Sequence, residues 1–196
     1  MALILVEIAP EGPLPDVKAL IERVHATVLN LGDALVESAW AAVSARLYVI
    51  IDSGAQDSET AQKALAERLR AEALPVKDVT AVRLVGKPAS EAPGKPSHIV
   101  EWDLPADLGM ERYLKRKAEK SPLYAQVPEV QFLRTYVRED TVKCLCLYQA
   151  PDDDAVRRAR AVVGAPISRM AQVESLEGTA RASGSSETAV ARTKGA

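Results

Sequence analysis

Aromatic side chains are scarce in this chain: one Phe, two Trp and five Tyr. Its core must therefore be built mainly from Val, Leu, Ile and Ala. No apolar run approaches the roughly 20 residues that a membrane-crossing helix needs, so no membrane span is expected. Charge of one sign is also missing: the formal net charge is -2, which offers no general attraction for nucleic acid or an anionic membrane. Cysteine is rare. Cys144 and Cys146 flank one residue on a predicted strand, share a face and make a poor disulfide pair, which fits a reducing, cytoplasmic setting. The opening Met-Ala-Leu-Ile-Leu-Val-Glu-Ile has no basic region and reads as a strand rather than a signal peptide. There is no Walker loop, Gly-x-Gly-x-x-Gly, Gly-x-Ser-x-Gly or His-Glu-x-x-His. The glycine- and aromatic-rich strand of RNA-binding sheets is absent too, so nucleic acid is not an expected partner.

What is present is a chain of 196 residues, 47% hydrophobic, able to bury a sizeable core. Leu3 to Ile8 reads as a buried strand. Asp16 is placed to cap a helix in which Val17, Leu20, Ile21, Val24, Val28 and Leu31 recur at helical spacing, with Gly32 just beyond. Two β-like runs follow, Leu35 to Val43 and Arg46 to Asp52. Asp57 or Ser58 caps a second helix carrying Ala61, Leu65 and Leu69, and Val79 to Val85 forms another strand. This β-α-β-β-α-β order is the split unit of ferredoxin-like folds. Residues 87–97 are rich in Pro and read as a linker. The order then recurs: a strand from His98 to Asp103, a helix from Met110 to about Tyr124, a hairpin from Val130 to Tyr148, a helix after Asp154 and a strand near Arg169–Leu176. Short matches support a repeat: Leu5-Val6-Glu7 beside Ile99-Val100-Glu101, and Leu47-Tyr48-Val49-Ile50-Ile51 beside Cys144-Leu145-Cys146-Leu147-Tyr148.

The expected fold is thus α+β: two tandem ferredoxin-like units, 1–86 and 98–177, with their sheets packed as an intramolecular pseudo-dimer resembling an α+β barrel. Residues 178–196, without periodicity, are expected to be a disordered tail. The hairpin carries the argument for packed sheets. With a two-residue turn, Leu133, Thr135, Val137, Val142, Cys144 and Cys146 share one face, suited to helices. Phe132, Arg134, Tyr136, Lys143, Leu145 and Leu147 share the other, too apolar for solvent yet holding cations and a phenol.

The second half resembles a family of small ferredoxin-like domain proteins of unknown function that includes a bacterial nickel-binding member. The resemblance rests on Val100-Glu101-Trp102-Asp103-Leu104-Pro105, Tyr136-Val137, Cys146-Leu147-Tyr148-Gln149-Ala150-Pro151, Ala155-Val156-Arg157 and Gly164-Ala165-Pro166-Ile167. It covers about residues 98–175; the first half looks like a degenerate copy that keeps Glu7. The resemblance implies the fold, the sheet-to-sheet pairing and a divalent metal such as nickel. Where the family often carries a histidine on the helix after the Ala-Pro turn, this chain has Ala159.

Two function classes follow. The first is a non-catalytic binding protein for a small molecule or metal ion, its site in or beside the inter-sheet space of the second unit. Glu101, Arg134, Tyr136, Tyr148 and Arg157 are the expected ligand contacts, and His98, Glu101 and Cys146 the expected metal donors. The second is a small α+β-barrel enzyme acting on a polar or anionic molecule, with Glu101 or His98 as base and Arg134 or Tyr136 as anchor. No nucleophile–base–orienter set is visible, which favours binding. The basic run Arg112, Lys115, Arg116, Lys117 and Lys120 reads first as a solvated helix face and second as a surface for a phosphate-bearing ligand or acidic partner. Self-association is left open.

Overall fold

The computed structural model describes residues 2–10, 16–55, 57–91 and 94–176; the tail expected from 178 onward lies outside these. The first half runs β1 (Leu3–Ile8), α1 (Val17–Asn30), β2 (Ala34–Ala41), β3 (Arg46–Asp52), α2 (Ser58–Ala71) and β4 (Val76–Gly86). The second runs β5 (His98–Asp103), α3 (Met110–Lys120), a 3₁₀ segment (Ser121–Gln126), β6 (Gln131–Arg138), β7 (Lys143–Gln149), α4 (Asp153–Val162), β8 (Arg169–Gln172) and β9 (Glu174–Leu176). Side-chain caps start three of the helices: Asp16 accepts from the Ala19 amide, Asp57 from Glu59 and Thr60, and Asp152 from Ala155. Each satisfies backbone donors that the first helical turn leaves open. α3 gives way to the tighter 3₁₀ segment at Ser121, where Pro122 stands at the start.

The described strands form one antiparallel sheet in the order β8-β5-β7-β6-β4-β1-β3-β2-β9. Two separate sheets face to face were expected. Instead β4 pairs with β6, Val82 opposite Arg138 and Gly86 opposite Arg134, so the edges that separate sheets would expose are joined. The outer edges are held by one segment. β8 pairs with β5, β9 pairs with β2, and only Val173 lies between them, its amide donating to Ser97 O at 2.8 Å. The result is a nearly closed barrel.

Strand alternation gives the barrel two surfaces. Outside, Ile4, Val6 and Ile8 pack with Leu20, Val24, Leu65 and Leu69 under α1 and α2. Val100, Trp102, Val137, Cys144 and Cys146 pack with Tyr113, Val156 and Ala159 under α3 and α4. Inside, Leu5, Tyr48, Ile50, Ile99, Tyr136, Leu145 and Leu147 meet across the lumen. The hairpin turn keeps the expected parity, Val137 opposite Cys144 and Tyr136 opposite Leu145, with Thr141 in the left-handed region at φ 56°. One correction concerns its start. The register shifts between Phe132 and Arg134, so Leu133 joins the lumen and Phe132 the helix side, the reverse of strict alternation.

Candidate functional site

The predicted residues separate onto the two faces. Glu101 lies inside, 2% exposed, at the end of the lumen where Glu7 also points. Arg46 Nη1 lies 3.2 Å from Glu7 and 3.3 Å from Glu101, and Lys143 Nζ bonds Glu7 and lies 3.2 Å from Glu101. Tyr48 donates to Glu101 at 2.8 Å, and Arg169 Nε at 3.0 Å. Burial alone would raise Glu101. The Arg169 hydrogen bond, the Lys143 charge and the Tyr48 hydroxyl outweigh it and hold the carboxyl below its usual range. Burial, reinforced by Glu101, pushes the Tyr48 phenol upward. A cavity of about 170 Å³ adjoins, lined by Ser44, Arg46, Tyr48, Glu101, Arg169 and Met170 among others.

Arg134 and Tyr136 also point inward, to a different carboxylate. Arg134 grips Glu37 with Nε and Nη2 at 2.7 and 2.8 Å, and the Tyr136 hydroxyl bonds the same group. Burial lowers Arg134, but the Glu37 hydrogen bonds and charge more than offset this and raise it. Glu37 was not singled out from sequence. Its signal was a lone acid inside the apolar run Leu35–Val43.

His98, Cys146 and Tyr148 face the helices. The His98 Nδ1 and Ser97 Oγ are 2.8 Å apart, and its Nε2 lies 3.2 Å from Asp153. Arg157 is exposed, 4.0 Å from Asp154. The three expected metal donors therefore do not meet: Glu101 is an odd number of positions from His98 on one strand and emerges on the opposite face. Among the described residues no three His, Cys, Asp or Glu side chains gather as a metal site.

The helix face gathers a different set. On α4 the small residues Ala155 and Ala159 lie flat against the sheet, so Val156, Ala159, Arg160 and Val163 form the inward stripe. Arg160 is 2% exposed. Its Nη1 lies 3.4 Å from Cys146 Sγ and 3.2 Å from the Tyr148 hydroxyl; its Nη2 bonds Pro166 O; its Nε has no partner. The Tyr148 and Tyr124 hydroxyls are 2.8 Å apart. Lys117 of α3 stands 3.8 Å over the Phe132 ring. Arg116 of α3 reaches Gly164 O at 2.6 Å, where Gly164 leaves α4 at φ 63°. Between them lies a pocket of about 30 Å³, lined by Trp102, Lys117, Tyr124, Cys146 and Arg160 among others, with Arg116 and Lys120 also contributing. Burial lowers Lys117 and raises Tyr124 to about 12. The Cys144 hydrogen bond leads, with Lys117, Arg160 and Thr135, in holding Cys146 well below the usual thiol range against burial. Sequence reasoning put Arg157 forward on this helix and passed over Arg160. The i, i+3, i+4, i+7 spacing of residues 156, 159, 160 and 163 was the signal.

The fold places the molecule among antiparallel α+β barrels. It is similar to an anthrone oxidase-like protein at 16% identity, covering 88% of this chain and 91% of that one with TM-score 0.53. It is also similar to a chlorite dismutase candidate, TA0507, at 9% identity, 89% and 96% coverage and TM-score 0.51. A monooxygenase candidate from Fusobacterium nucleatum subsp. nucleatum ATCC 25586 gives 10% identity, 90% and 92% coverage and TM-score 0.50. Residues 98–173 match the family described as nickel responsive protein SCO4226-like. No curated protein matches the chain. The described side chains do not fit a nickel centre, because the His and Cys donors are divided between α1, β5 and one strand's buried face and no acidic group completes a set among them.

Proposed function

We propose that the chain is a single-chain α+β barrel built from two ferredoxin-like units, 1–86 and 98–177, joined by 87–97, and that it is a non-catalytic binding protein for a small anion. The matching orders β4-β1-β3-β2 and β8-β5-β7-β6 support two units. So do Glu7 and Glu101, which stand at corresponding strand positions and share the same two cations. The binding site on this reading is the pocket between α3, the 3₁₀ segment and α4 of the second unit.

One observation carries the ligand reading: Arg160 is buried with no carboxylate beside it among the described residues, and its Nε is unpartnered. A buried charge needs a partner, and a guanidinium cannot shed its proton. Lys117 adds a second cation at the same pocket, with Arg116 and Lys120 also lining it. Cys146 offsets one positive charge at most. A monoanion, or the anionic head of a larger molecule, completes the balance. The enzyme reading has one observation in its favour, the cavity beside Glu101. Held below its usual range by Arg169, Lys143 and Tyr48, that carboxylate is a weak base.

The test is thermal unfolding with formate, nitrate and inorganic phosphate at constant ionic strength. At least one should raise the midpoint, as ligand at about 100 times its Kd stabilises by about 2.7 kcal/mol. The shift should vanish in Lys117→Met and survive in Arg157→Met. Anion-independent midpoints in the wild type would overturn the reading.

A further inference from the structure

We propose that Cys146 is a peroxide-reactive thiolate, oxidised to the sulfenic acid by a small hydroperoxide that enters the pocket between α3 and α4. The proposal rests on the binding reading only for the use of that pocket. Two donors converge on one sulfur, Arg160 Nη1 at 3.4 Å and Thr135 Oγ1 at 3.3 Å, and the Cys144 sulfur lies 3.9 Å from it. A neutral thiol is a weak acceptor, whereas charge-assisted hydrogen bonds favour an ionised one. Arg160 stays cationic and, among the described residues, has no carboxylate beside it, so the sulfur that its Nη1 reaches is the pairing group on this face. The direction in which the Cys146 thiol is shifted agrees with this arrangement.

Access and size point to the substrate class. Cys146 is 1% exposed, yet it lines the pocket. About 30 Å³ holds roughly two waters, which matches the two oxygens of a hydroperoxide group. Arg160 lines the same pocket and keeps one buried donor, its Nε–H, unused. In the step, Sγ attacks the nearer peroxide oxygen, the S–O bond forms and the O–O bond breaks. Hydroxide or alkoxide leaves with the electron pair, and the Lys117 ammonium supplies the proton that makes water or alcohol. Sulfur loses two electrons and the peroxide gains them. Burial, which lowers Lys117, makes it the readier donor.

The experiment treats the reduced full-length protein with hydrogen peroxide, traps sulfenic acid with dimedone and locates the adduct by peptide mass spectrometry. The adduct is expected on Cys146 and not on Cys144, formed at least about tenfold faster than on free cysteine at the same pH. Thr135→Val removes one donor at nearly constant volume and should slow labelling severalfold with an unchanged unfolding midpoint. If that variant misfolds, Lys117→Met, at the pocket wall on α3, serves, with the same expected slowing. An adduct on Cys144 alone, or labelling no faster than free cysteine, overturns the proposal. So does labelling seen only after denaturation. A protein that binds no anion yet labels at Cys146 removes the binding reading and leaves this one; the converse outcome removes this one alone.

Discussion

Glu7 and Glu101, from opposite halves of the chain, share two cations: Arg46 and Lys143 each bridge the two carboxylates. The four groups close one end of the lumen as a ring of alternating charge. Tyr48 and Arg169 add hydrogen bonds to Glu101 alone. The ring holds the halves together where the lumen would otherwise bring two buried carboxylates face to face.

Glu101→Gln keeps the shape of that end and removes one negative charge. With Lys143 and Arg46 left short of a partner, the variant should lose about 3–5 kcal/mol of stability, the usual result of breaking one side of a buried pair. Urea unfolding measures it. Unchanged stability would show that solvent already screens the ring.

The acid limb of stability should follow the same carboxylate. Its folded value lies below the ordinary 4.5, so its contribution is fully present above the unfolded value and is lost as pH falls through the folded one. The unfolding midpoint should hold down to about pH 4.5 and then drop. In Glu101→Gln the drop should be shallower. Equal slopes in the two proteins would assign the acid sensitivity to other groups.

Nickel should bind weakly. The chain has two His and two Cys in all; His25 sits on α1, His98 on β5, and both thiols are buried under α3 and α4. Equilibrium dialysis against nickel(II) is expected to leave substoichiometric metal, unchanged in Cys146→Ser. One tightly held nickel per chain, lost in that variant, would contradict the reading.

The segment that joins the sheet edges should matter more than anything after it. Ending the chain after Leu176 keeps β9 and the Ser38 Oγ bond to Leu176 O at 2.7 Å; ending it after Gln172 removes both. The shorter protein should melt at least about 4 °C lower than the longer, an effect near 1 kcal/mol. Equal melting temperatures would mean that β2 does not depend on β9.

Much of the local structure was legible because its causes are local. Asp16 and Asp57 announced their helices, and the parity of the hairpin followed from its short polar turn. The Phe132–Leu133 exchange was not legible, because a bulge adds one unpaired residue without changing the apolar pattern. Nor was the β4–β6 pairing, since strand order depends on edges that no periodicity encodes. At the sites, Arg134 and Tyr136 stood out as polar residues in apolar strands, but their common partner Glu37 lies on β2. Arg160 was hidden by its chemistry: an arginine in an inward stripe reads as a solvated residue until the thiol and phenol beneath it are in place.

Holding both edges with Arg169–Leu176 has a consequence for synthesis. β2 and β4 emerge from the ribosome well before their outer neighbours, β9 and β6. Until β6 is made the first half carries open edges on both sides, and afterwards the β2 edge alone, each a template for pairing with another chain. The last of the described strands, β9, is the one that covers β2, so a nascent chain stalled before residue 131, with neither edge yet covered, is the form of this protein most prone to aggregate.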